Sequence, residues 1–227
     1  MLNFLIISHL HQLLSYADIM GLAFGKEEIT EDVLTMIVRG NEADKIFSEA
    51  VLWRSEGKVP VCIENTGREQ MVSLYQMKGQ PGAVFGRGLC AGRYFIEGET
   101  SVCLLDRETV RALFGSDNVL GMKIKWENTE YEIAGILAGN QPLCIVPSEE
   151  GTLFDGVAAK KAEKTVSSDI AFSTLETVIG GMGQQRIDGH LYYTTACLFY
   201  FLLIAAFLAA TGVKDRKRRI IAVLYMV

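Results

Sequence analysis

Apolar positions follow a helical period early in the chain and then change to alternation. In residues 29–40, ITEDVLTMIVRG, Val33, Leu34, Ile37 and Val38 share one helical face. Thr30 is placed as an N-cap, acids fill the first turn, and Gly40 is a stop signal. Residues 41–57, NEADKIFSEAVLWRSEG, repeat the design: Asn41 caps, Ile46, Phe47, Ala50 and Val51 form a face, and Gly57 ends it. The pattern therefore predicts two consecutive helices. After them VPVCI and EQMVSLYQM read as strands joined by the turn ENTG, and the glycine-rich KGQPGAVFGRGLCAGRYF reads as loops around short extended pieces.

The next stretch alternates element types. Residues 101–105 form an apolar strand, and Asp106 is placed to cap a helix with Val110, Leu113 and Phe114 on its inner face and Gly115 at its end. Residues 122–126 and 131–137 are strands around a turn at Glu127, Asn128 and Thr129, and PLCIV is another strand. A last helix, capped near Ser168 and carrying Ile170, Leu175, Val178 and Ile179, runs into GGMG. Strands interleaved with short helices indicate an α+β class, a mixed α/β domain.

Residues 191–213, LYYTTACLFYFLLIAAFLAATGV, hold no charge over 23 positions. As a helix they extend about 35 Å, enough to cross a hydrocarbon core of about 30 Å. From Lys214 the chain carries five basic residues and one acid; with the span neutral, the net charge of −5 leaves −9 on residues 1–190. Basic flanks stay on the cytoplasmic side, so the acidic part is expected outside and the tail inside. Such an acidic domain has no electrostatic basis for binding nucleic acid. The expected organisation is an apolar N-terminal segment at 1–25, read as the end of a transmembrane helix or as an amphipathic helix. An extracytoplasmic domain follows at 26–190, then a transmembrane helix at 191–213, then a basic cytoplasmic segment at 214–227 leading into further apolar sequence. A first span that looks clipped and a last one that has only begun read as an excerpt of a longer membrane protein.

Candidate chemistry is sparse. The five cysteines have no CxxC spacing, and Cys103 and Cys144 lie in apolar strands, so free thiols are expected. GRGLCAG lacks the Lys–Ser/Thr of a phosphate-binding loop, so the chain is not expected to hydrolyse ATP by itself. His190, beside Asp188 at the start of the apolar span, reads as interfacial. We expect no catalytic group, no cofactor and no metal site, and no enzyme activity. Gly180, Gly181 and Gly183 of GGMG are candidate hinge positions rather than a ligand loop.

The segment GRYF, a strand, DRETVRALFG and LGMKIKWENTEYEIAGIL resembles the periplasmic core domain of MacB-like ABC transporter permeases. The matching positions are Gly92, Arg93 and Phe95; Leu113, Phe114 and Gly115; Leu120, Gly121 and Ile124; and Ile133, Gly135 and Ile136. DRKRRIIAVLYMV resembles the basic cytoplasmic segment that follows the outer domain and its membrane helix in FtsX-like and MacB-like permeases, with Arg218, Arg219, Ile220, Ala222 and Leu224 in corresponding places. It departs from that pattern at Ile221. The resemblance covers roughly residues 60–227. It implies a permease-type subunit whose outer domain relays ATPase-driven helix motion for export or mechanical work at the cell surface. It also implies a cytoplasmic ATP-binding subunit and a second permease copy or homologue as partners, besides membrane lipid. Arg216, Lys217, Arg218 and Arg219 are then candidate ATPase-coupling residues. The alternative is a single-pass, membrane-anchored extracytoplasmic binding or sensor module in which the same block is a stop-transfer anchor on anionic headgroups.

Overall fold

The computed structural model describes residues 14, 16–25, 29–44, 46–64, 66–79, 81–84, 88–139, 141–163, 166–181 and 185–210. The chain divides into two units, one spanning Met20–Ile187 and the other formed by Met1–Ile19 with Asp188–Val227.

The larger unit is built on one mixed sheet. Its strands are β1 (Ile19–Ala23), β2 (Phe47–Cys62), β3 (Glu69–Gly79), β4 (Leu89–Gly92), β5 (Val102–Asp106), β6 (Lys123–Trp126), β7 (Thr129–Leu137), β8 (Leu143–Pro147), β9 (Gly156–Lys161) and β10 (Gln185–Asp188). The spatial order is β10-β1-β9-β2-β3-β8-β5-β7-β4, with β6 pairing β2 and β7. Helices α1 (Asp32–Asp44), α2 (Pro81–Val84), α3 (Arg107–Phe114) and α4 (Ser168–Ile179) complete it. The α+β class expected from the alternation of elements is the class observed.

Two hydrophobic cores share this sheet. The first gathers Leu22 from β1, Ile37 from α1, Leu52 from β2, Val157 from β9 and Leu175 from α4. The second gathers Leu74 from β3, Leu105 from β5, Leu113 from α3, Ile133 from β7 and Cys144 from β8. Each fully buried leucine or isoleucine contributes about 1.5–3 kcal/mol. The β2–β3 ladder joins the cores. It is antiparallel from Val51↔Gly79 to Cys62↔Glu69, with a register shift between Ser55 and Gly57. Leu52 at one end belongs to the first core and Val61 at the other to the second.

The first expected helix is present, with Val33 and Ile37 buried, but it continues through Gly40 to Asp44. The second is not a helix: residues from Phe47 onward are β2, so Asn41 is no cap and Gly57 no helix end. Neighbouring Val51 and Leu52 are both buried, 1% and 0% exposed. A strand covered on both faces has apolar residues at both parities, and its run imitates a helical face. In α4 the buried residues are Ala171, Phe172 and Leu175, whereas Ile170 is exposed.

Asp106 caps α3 as its position in the sequence predicts. Its carboxylate accepts from the Glu108 N–H at 2.9 Å, the Thr109 N–H at 3.3 Å and the Thr109 hydroxyl. A fourth bond, from the Leu143 N–H at 3.0 Å, ties the same side chain to β8. Asp106 is fully buried; three of these donors, the Thr109 N–H and hydroxyl and the Leu143 N–H, reach Oδ1, and the Glu108 N–H reaches Oδ2.

The smaller unit contains helix α5 (Gly189–Ala210). Asp188 starts it, its Oδ1 accepting the His190 N–H at 2.9 Å and the Leu191 N–H at 3.3 Å. Leu191, Leu198, Phe199, Phe201 and Leu202 are exposed. Among the described residues, Gly189–Ala206 is long and apolar enough to cross a membrane by length and composition. Residues 1–13 and 15 of the expected apolar N-terminal segment, 211–213 of the expected membrane helix and the whole basic segment 214–227 lie outside the described residues.

Candidate functional site

The motif residues converge on the junction between β4, β7 and the loop that follows β4. Gly92 pairs with Gly135 across the β4–β7 ladder. Gly92 has φ +77°, and a Cβ there would strike the Ala134 carbonyl oxygen and come within 2.8 Å of the Gly135 Cα. A Cβ on Gly135 would in turn lie 2.5 Å from the Arg93 carbonyl oxygen. The two strands approach this closely only because both positions are glycine. Leu113, Ile124, Ile133 and Ile136 of the motif are buried, while Leu120 is exposed.

Arg93 leaves this junction to staple the loop. Its guanidinium donates to Glu99 in bidentate fashion, Nη1 to Oε2 at 2.8 Å and Nη2 to Oε1 at 2.5 Å. Nη1 also donates to the Tyr94 carbonyl at 3.1 Å, and the Ile96 N–H donates to Glu99 Oε2 at 2.9 Å. Hydrogen bonding from Arg93, then from Ile96, holds the Glu99 carboxyl down at about 2. The same pairing raises Arg93 above the usual arginine value. Phe95, 3% exposed, anchors the loop inward and leaves Ile96 63% exposed.

Between this loop and the ends of β3 and β8 lies a cleft of about 180 Å³, with Lys78, Ile96, Glu97, Glu99, Ser148 and Glu150 among its walls. Ser148 is 8% exposed, and its N–H donates to the Met77 carbonyl at 2.9 Å. Its hydroxyl is buried with no hydrogen-bond partner among the described residues. Leaving such a group unsatisfied costs about 1–3 kcal/mol. Lys78 is committed to Glu31, 3.2 Å away. Glu97 and Glu150 are exposed.

The residues singled out in the sequence are placed as follows. Gly180 ends α4 in the left-handed conformation, its N–H bonded to Glu176 O at 3.0 Å, and the Gly181 N–H reaches the same oxygen at 3.2 Å. Both close the helix end; Gly183 lies outside the described residues, as do Arg216, Lys217, Arg218 and Arg219. Cys103 and Cys144 are buried free thiols, and Cys62, Cys90 and Cys197 are free as well. Burial, then the neighbouring Cys144 thiol, pushes the Cys103 thiol up. No group of three His, Cys, Asp or Glu residues converges among the described residues. Ser148 gave no signal in the sequence, because its surroundings come from three separated segments.

No protein-family model matches the chain, and no curated protein matches it by sequence. Solved structures do. The periplasmic region of MacB from Actinobacillus actinomycetemcomitans superposes with a TM-score of 0.64 at 15% identity, covering 84% of this chain and 96% of that one. The chain has the fold of the MacB periplasmic region. The extracellular domain of the noncanonic ABC-type transporter YknZ from Gram-positive bacteria aligns with a TM-score of 0.55 at 16% identity, covering 71% of this chain and 92% of that one. A domain of a permease protein from Porphyromonas gingivalis aligns at 0.50 and 15% identity, covering 73% and 85%. The MacB-like resemblance read from the motifs is thus borne out in the fold. At the Gly92–Gly135 junction the MacB-like motif has a physical reason in this chain: both glycines are needed for the strands to meet.

Proposed function

We propose that this chain is a permease-type subunit of an ABC transporter, or a large part of one. Its mixed α/β domain stands outside the membrane, α5 crosses the membrane, and the basic segment lies in the cytoplasm. The observation that carries this reading is the shared fold with a periplasmic and an extracellular transporter domain, extended over 96% and 92% of those chains. The apolar exposed helix beginning at Gly189, immediately after the domain, supports it. In this reading the chain performs no chemistry itself. A cytoplasmic ATP-binding subunit hydrolyses ATP, Arg216, Lys217, Arg218 and Arg219 meet that subunit, and the outer domain relays helix motion to a substrate or partner. A second permease copy or homologue completes the pair within the lipid.

Two measurements test it. A membrane-impermeant maleimide applied to intact cells labels Cys90, which is exposed in the outer domain, and the label is lost in Cys90→Ser. In a Lys217→Cys variant the new thiol is protected until the cells are permeabilised. The reverse pattern overturns the topology. Replacing Arg218 and Arg219 by Gln leaves Lys214, Arg216 and Lys217 to hold the tail inside, so topology is retained. It removes the multidentate donors that a coupling contact needs, and co-purification with a co-expressed ATP-binding subunit is lost. Normal association in that double variant overturns the coupling role and favours a plain anchor.

A further inference from the structure

Helix α5 is not evenly exposed. Tyr193, Ala196, Cys197, Tyr200 and Ile204 are half-buried, whereas Leu198, Phe199, Phe201 and Leu202 between them are exposed. The half-buried positions recur at the spacing of one helical face. That face carries the phenol groups of Tyr193 and Tyr200 and the thiol of Cys197, while from Leu198 to Ala206 the exposed side is leucine, phenylalanine and alanine. Inside a membrane, polar atoms turn toward protein and apolar side chains toward lipid.

A second observation says what comes to that face. A Cβ at Gly189 would strike the Tyr16 carbonyl oxygen and lie 2.7 Å from the Ile19 carbonyl oxygen. The start of α5 and the chain entering β1 touch there because position 189 is glycine. Leu14 and Tyr16 are helical, and the Ala17 N–H closes on the Leu14 carbonyl at 3.1 Å. β1, which follows, is the sheet neighbour of β10, which leads into α5. Residues 1–19 and α5 belong to one compact unit. The thirteen residues before Leu14, MLNFLIISHLHQL, thus arrive beside the first turn of α5 without an acid, a lysine or an arginine. As a helix they extend about 20 Å, and the half-buried face from Tyr193 to Ile204 extends about 17 Å. Leu2, Ile6, Leu10 and Leu13 recur at helical spacing along them.

We propose that residues 1–13 form a helix packed antiparallel along the 193–204 face of α5, with the Tyr16–Gly189 contact as its fixed point. The occupant of that face is this chain's own N-terminal segment, not a second copy and not lipid. The inference rests on α5 lying in a membrane and is independent of coupling to an ATP-binding subunit.

Antiparallel packing from the fixed point puts Ser8 level with Cys197, each eight residues from the contact. In native membranes holding the full chain with Cys62→Ser and Cys90→Ser, residues 4–12 are replaced by cysteine one at a time and oxidised with copper phenanthroline. A disulfide requires Cα atoms within about 7 Å. Linking to Cys197 within one chain peaks within one turn of Ser8→Cys, and mass spectrometry finds the two segments joined in one tryptic peptide pair. The link vanishes in Cys197→Ser. Moving the thiol to the exposed side, with Cys197→Ser/Leu198→Cys, lowers it at least about tenfold. Gly189→Val, which forces the backbones apart, lowers it at least about fivefold. The proposal is overturned if no position from 4 to 12 links to Cys197, if Leu198→Cys links as well, if Gly189→Val leaves the link unchanged, or if Cys197 instead joins two chains into a dimer. Alkaline carbonate extraction of the same membranes tests the membrane reading separately. A chain kept in the pellet without any link overturns the helix pair alone, and a released chain overturns both.

Discussion

The two hydrophobic cores differ in how the chain assembles them. The second core comes from residues 61–146 in one uninterrupted run, whereas the first joins residues 20–52 to residues 154–175 across everything between. The second is therefore an insertion into the first. Its contacts close shorter loops, and loop-closure entropy rises with length, so the second core has the smaller ordering cost. It also holds Asp106, a buried carboxylate that fixes α3 and β8 together. In the first core the helix N-terminus of α4 has no side-chain cap bond from Ser167. One sheet thus carries two cores of unequal autonomy.

A matched pair of truncations separates the two cores with the largest effect. Leu113→Ala in the second core and Leu175→Ala in the first each cost about 2–5 kcal/mol, since both are fully buried. Native-state hydrogen exchange reads the outcome. Leu113→Ala lowers protection in β5, β7 and β8 more than in β1 and β9, and Leu175→Ala does the reverse. Uniform loss in both variants means that the cores unfold as one. A smaller effect, about 2–3 kcal/mol, follows from Asp106→Ala, which removes an N-cap and orphans the buried Leu143 N–H. It is measured by chemical denaturation and falls on the second core alone. Asn at 106, which keeps an acceptor, recovers part of the loss.

Acid gives a finer test. Glu99 titrates at about 2 in the folded chain, below the about 4.3 of a free glutamate. Its folded value is depressed, so the stabilisation is complete above the unfolded value and is lost as pH falls through about 2. The Ile96 amide, which donates to Glu99, stays protected at about pH 3.5 and exchanges freely once Glu99 is protonated. Glu99→Gln removes this pH dependence. A Glu99 carboxyl that titrates at the ordinary glutamate value contradicts the staple. The smallest effect concerns the thiols: reductant leaves the melting temperature unchanged, and iodoacetamide modifies Cys103 and Cys144 only on unfolding.

Legibility follows the same division. In the second core, Asp106, Leu113 and Gly115 mark the limits of α3, and the turn at Glu127 and Asn128 marks the β6–β7 hairpin, because cap and turn chemistry act over a few residues. In the first core long-range burial decides, and the local pattern there points to the wrong element. Residues 47–52 carry the apolar spacing of a helix because they lie in a strand covered on both faces. β9, GVAAKK, has Val157 as its one β-branched residue beside glycine, alanines and lysines and carries no strand signal, although Val157 and Ala159 are fully buried. The Arg93–Glu99 staple joins residues six apart and was within reach of local reading. The Ser148 cleft was not, since β3, the 95–100 loop and β8 meet only in the folded sheet.

The ladder between β2 and β3 has a consequence under tension. Its interstrand hydrogen bonds run across the strands, so a pull along β2 shears every rung from Val51↔Gly79 to Cys62↔Glu69 together, whereas a pull at right angles opens them in turn. Slippage is quantised too. A one-residue shift of β2 would turn Val61 out of the second core, and one of β3 would turn out Val72 and Leu74, so the next register that keeps sidedness lies two residues, about 7 Å, away. Drawn lengthwise, the pair behaves as a stiff rod that transmits displacement with little stretch up to a sharp yield point.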